Sequence, residues 1–137
     1  MAFDPIRDYP LGARRPDLVT TPAGVPLDGV TLDAVREGTL SGGEIRATPQ
    51  TLRLQAEVAA AAGRTQLAEN LERAAELASV PDDVLLEIYT ALRPRRATAG
   101  ELEEWASRLD GLDARRTAAF VREAAAAYAE RGLLARG

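Results

Sequence analysis

The chain has no cysteine, no histidine and no lysine, and aromatic residues make up only 4% of its 137 residues. Without cysteine there is no disulfide framework, no thiolate nucleophile and no thiolate metal site. Without histidine, the commonest general acid–base group and the commonest metal ligand are both missing. Aspartate and glutamate remain, but no pattern pairs them with an activated nucleophile, so no catalytic residue and no metal ligand is assigned. With so few aromatics the core has to be built from Leu, Val, Ile and many Ala. Burial stabilises by roughly 25 cal/mol per Å², so an alanine-rich core in a chain of one-domain size is thin. A thin core points to a partner that completes the burial.

The charge balance is acidic: 17 basic residues, all Arg, against 21 acidic ones give a net charge of −4. Binding to phosphates requires a basic stripe, so nucleic acid is not the expected partner, and a helix-turn-helix DNA binder is disfavoured. No apolar run approaches the roughly 18 residues needed to span a bilayer, so no membrane association is expected. The first residues, MAFDPIRDYPLGARRPD, contain no apolar core of a secretory signal, and the expectation is a cytoplasmic protein.

Five of the eight prolines fall within the first 30 residues, at Pro5, Pro10, Pro16, Pro22 and Pro26. Proline fixes φ and removes a donor, so this stretch cannot form a long helix. It reads as an extended arm over residues 1–30, with Tyr9, Pro10 and Leu11 as candidate anchors on a partner. Residues 31–137 read as one helical domain.

Within that domain the helix signals recur. Thr31 caps a short turn closed at Gly38. Ser41 and Glu44 have the spacing of a capping box. Thr48-Pro49 starts a helix over 49–62 that stops at Gly63. A second helix over 65–78 carries Leu67, Leu71, Ala74 and Ala78 on one stripe. Pro81 opens a third, with Asp82 and Asp83 beside the positive end of its dipole. Arg93-Pro94 ends it, leaving Arg93, Arg95 and Arg96 near the negative end. Thr98 and Glu101 form another capping box, ahead of Leu102, Trp105, Ala106 and Leu109. The last helix runs over 112–131 and stops at Gly132. No alternating strand pattern, heptad or internal repeat competes. The expected fold is all-α: an irregular bundle of about five helices behind a proline-rich extended arm.

The helix over 49–62 is apolar on two sides, with Leu52, Ala56 and Ala59 on one and Leu54 and Val58 nearly opposite. Such a helix is sandwiched rather than solvated. The small-residue stripe suits close internal packing, which leaves Leu54 and Val58 as candidate partner contacts.

Eight blocks, in order, resemble the small (gamma) subunit family of diol and glycerol dehydratases. They are DYPL at 8–11, TLDAV at 31–35, TPQTLRLQA at 48–56, AGR at 62–64, ERAAEL at 72–77, VPDD at 80–83, LEIYTALRP at 86–94 and AFVREAA at 119–125. The resemblance implies a helical subunit packed on a large, TIM-barrel-like catalytic subunit. The holoenzyme would hold two copies each of large, medium and small subunits. Adenosylcobalamin would lie between the large and medium subunits and serve a radical dehydration of 1,2-propanediol or glycerol to the aldehyde. No cofactor-binding residue is carried onto this chain. Some members have an N-terminal extension associated with packaging into bacterial microcompartments; here seven residues precede DYPL, and encapsulation stays open. TPQTLRLQA looks more like the propanediol enzymes and TPAGVPL at 21–27 more like the glycerol enzymes, so substrate preference stays open too. A free-standing helical adaptor with no enzymatic partner is the alternative.

Overall fold

A computed structural model describes residues 2–137. The described residues are all-α, with seven helices and a lone bridge between Thr20 and Pro26 in place of any strand. Contacts group them into two compact units that divide between Ala78 and Ser79, after the second long helix.

In the first unit, the stretch expected as an extended arm is locally folded. Helix α1 (Leu11–Arg14) starts at Pro10, and single 3₁₀ turns follow at Pro16–Leu18 and Leu27–Gly29. Prolines that forbid a long helix are tolerated at the first position of short ones, which is how this segment uses Pro16. Helix α2 (Leu32–Arg36) has its Ala34 N–H donated to Thr31 Oγ1, as its cap predicts.

Helices α3 (Pro49–Ala61) and α4 (Thr65–Leu77) pack on each other. Thr48 accepts from the Thr51 N–H, and Pro49 occupies the first position. Between the helices Gly63 adopts φ +74°, a left-handed conformation that a Cβ would disfavour. Ala56, Ala59, Ala68 and Ala75 are buried. Small side chains let helix axes approach closely, so this pair depends more on fit than on apolar area. The inner stripe of α4 therefore runs through Ala68 and Ala75. Leu67, expected on the packed stripe, is 43% exposed.

The second unit holds α5 (Asp82–Ala91), α6 (Ala99–Gly111) and α7 (Arg115–Arg131). The Thr98–Glu101 capping box forms in full. Leu102, Ala106 and Leu109 of α6 are buried, as are Ala118 and Val121 of α7, so the two helices share the core. Helix α7 starts three residues later than its apolar spacing suggests, because Asp113 takes φ +59° and breaks the chain direction. Its end is as expected: Gly132 sits at φ +66° and Leu133 N–H returns to the Tyr128 carbonyl at 2.8 Å.

Candidate subunit interface

The first unit carries a groove of about 510 Å³ between its N-terminal turn and the α3–α4 pair. Pro5, Ile6 and Tyr9 line one side. Val58 and Ala62 from the α3 end, with Leu67 and Leu71 of α4, line the other. Ile6 is 77% and Tyr9 52% exposed, so large apolar side chains stand in solvent here beside half-buried Val58 and Leu71.

Charge holds the N-terminal turn in place. The Asp4 carboxylate accepts the Ile6 and Arg7 N–H groups, both at 3.0 Å. Asp8 is nearly buried and accepts from the Asp4 N–H at 3.0 Å, from Arg7 Nε at 2.9 Å and from Arg15 Nη1 at 3.1 Å. The Arg7 guanidinium and the Asp4 amide hold the Asp8 carboxyl well below the usual carboxylate range, with partial burial pulling the other way. Arg15 also clamps Asp17. This network fixes the segment between Asp4 and Asp8, and therefore where Ile6 and Tyr9 stand.

Two of the five candidate contacts meet in this groove: Tyr9 and Val58 both line it. Pro10 is exposed and begins α1. Leu11 turns inward and is only 2% exposed, because α1 gives it a helical context that an extended arm would not. Leu54 is half-buried on α3 and does not line the groove. Ile6 and Arg64 also line the groove and carry no periodic signal, while Leu67 and Leu71, which line it too, belong to the stripe expected to pack. The signal for Leu67 and Leu71 was their i, i+4 spacing, which periodicity alone assigns to a packed face.

The second unit has a wider concavity of about 710 Å³, lined by Leu86, Thr90, Ala91 and Trp105 among charged neighbours. Glu87, Arg96, Glu101, Glu104 and Arg108 make it polar. Arg108 lies over the Trp105 ring at 5.2 Å. Across the α6–α7 pair Arg122 bonds Glu103 at 2.8 Å and Asp110 at 2.9 Å, holding Glu103 below the ordinary carboxylate range. Both partners are substantially exposed, which makes this a solvated clasp. No group of three or more acidic side chains among the described residues is placed to hold a metal ion, and no described helix is long and apolar enough to cross a membrane.

Residues 5–135 match the dehydratase small subunit family, and the chain belongs to that family. It is 52% identical over 127 residues to the propanediol dehydratase small subunit of Citrobacter freundii, covering 92% of this chain and 74% of that one. The propanediol dehydratase small subunit of Salmonella typhimurium is 50% identical over 127 residues, covering 92% of this chain and 73% of that one.

Proposed function

We propose that the chain is the non-catalytic small subunit of a propanediol dehydratase, or of a closely similar glycerol dehydratase. It packs on and stabilises the large catalytic subunit in an assembly with two copies each of large, medium and small subunits. The observation that carries this reading is family membership over residues 5–135, joined to about half identity with two propanediol dehydratase small subunits. The reaction it implies is dehydration of 1,2-propanediol or glycerol to the aldehyde by a radical route that uses adenosylcobalamin.

On this reading the cofactor is held by the other subunits, and no step is assigned to residues of this chain. The residue set supports that division of labour. The chain has no histidine or cysteine, and in its wider concavity Glu101 is held by the Thr98 cap and Arg108 lies over the Trp105 indole. The assignment places the protein in the cytoplasm or in a bacterial microcompartment.

Co-expression with large and medium dehydratase subunits tests the reading. The three chains should co-purify, and the assembly supplied with adenosylcobalamin should convert 1,2-propanediol, glycerol or both. The purified small chain alone should convert neither. Recovery of this chain free of both other subunits would favour a free-standing adaptor.

A further inference from the structure

The groove on the first unit is chemically one-sided. Among the described residues, Arg64 is the only charged one that lines it. Elsewhere in the chain Arg7, Arg15 and Arg122 are bound to carboxylates. The Arg64 side chain is exposed and pairs with no carboxylate among the described residues. Its position adds to the asymmetry. Arg64 is the residue before α4, a helix with no side-chain cap and no acidic residue in its first turn. The positive end of that helix dipole and the free guanidinium therefore act on the same side of the groove. Around them lie Ile6, Tyr9, Val58, Leu67 and Leu71, three of which are more than 40% exposed.

We propose that this groove is the socket for a segment of the large dehydratase subunit that presents apolar side chains flanking a carboxylate, with the carboxylate pairing to Arg64. The proposal rests on the small-subunit reading above and adds the place and chemistry of contact. A carboxylate satisfies the cation and the open helix end together, and such a charge-assisted contact fixes register as well as adding attraction. The apolar residues supply a buried centre of the kind that carries most interface energy. Self-association through the same face is disfavoured. A two-fold contact brings a patch against its own copy, which would set one Arg64 near the other with no acid in either groove to separate them.

The test uses the full chain co-expressed with the large and medium subunits. Arg64→Glu puts an acid at the start of α4, where it favours the helix, so the isolated variant should melt as wild type. Ile6→Asp changes a side chain that is 77% exposed and should also leave the isolated chain folded. Each should reduce affinity for the large subunit at least about tenfold, and Arg64→Lys should restore most of it. The Arg64-dependent share of binding should weaken with added salt.

Wild-type recovery of the complex by both variants would overturn the proposal. Loss with Ile6→Asp but not with Arg64→Glu would overturn the carboxylate partner. A homodimer of the isolated chain that Arg64→Glu dissociates would make the groove a self-interface instead. If the wild-type chain recovers no large subunit, the small-subunit reading fails and takes this inference with it; retention of wild type with loss of neither variant sinks the groove alone.

Discussion

The Thr21 hydroxyl donates to Glu44 Oε2 at 2.8 Å, across 23 residues of chain. The same carboxylate oxygen accepts the Ala23 N–H at 3.2 Å, while Thr21 Oγ1 accepts from the Val25 N–H at 3.1 Å. Thr21 is buried, so its hydroxyl cannot turn to water if Glu44 is removed. Ser41 and Glu44, spaced as in a capping box, close the expected short turn through the Glu44 N–H and the Ser41 carbonyl at 3.0 Å, but the Glu44 carboxylate is not spent on a cap there. Glu44 instead ties the loop after residue 40 to the turn at residue 21.

Glu44→Ala should therefore destabilise the first unit by about 1–2 kcal/mol, the usual cost of leaving buried donors unpaired. Glu44→Gln should recover part of that loss, because the amide oxygen can still accept. Chemical denaturation of the two variants checks the order.

Tyr128→Phe should cost about 1 kcal/mol. The Tyr128 hydroxyl donates to the Leu92 carbonyl at 2.6 Å, and Leu92 is the residue that closes α5. Phenylalanine keeps the ring and leaves that carbonyl without its side-chain donor. Hydrogen exchange should then accelerate at the α5 end more than in α6.

Leu109→Ala should be among the most damaging single changes, at about 2–5 kcal/mol, since Leu109 is fully buried in the α6–α7 core. Thr98→Ala should cost about 1 kcal/mol by removing the capping box. Thermal melts of the two variants should separate clearly.

Acid should loosen the N-terminal turn through Asp8. Its carboxyl titrates below the usual range when folded, against about 3.9 when unfolded. The stability it contributes is full above the unfolded value and drains away as pH falls from there toward the folded one. An Asp8→Asn variant should be less stable at pH 7 and should lose less on acidification below about pH 4. A steeper acid loss in the variant than in wild type would contradict this account.

The helix ends were the most readable part of the sequence. Thr31, Thr48 and Thr98 cap as their spacing predicts, and Gly63 and Gly132 take the left-handed conformations that end helices. Local chemistry decides those positions. The first 30 residues were less readable, because Leu11 is buried by tertiary contacts that proline content does not encode. Periodicity also misassigned Leu67, since two alanines on the adjacent stripe take the inner position on α4. The sequence pointed to Tyr9 and Val58 separately. Only the fold brings them to one groove and sets Ile6 and Arg64 beside them.

Trp105 is the chain's single tryptophan, and it stands half-buried on α6 beneath the Arg108 guanidinium. Intrinsic emission excited at the red edge of the indole band is thus a reporter of residues 79–137 alone, while the turn that carries Ile6 and Tyr9 is optically silent at that wavelength. An unfolding curve followed by fluorescence and one followed by far-ultraviolet dichroism sample different populations of helices. Their coincidence or separation measures how tightly the two units melt together, with no label and no mutation required.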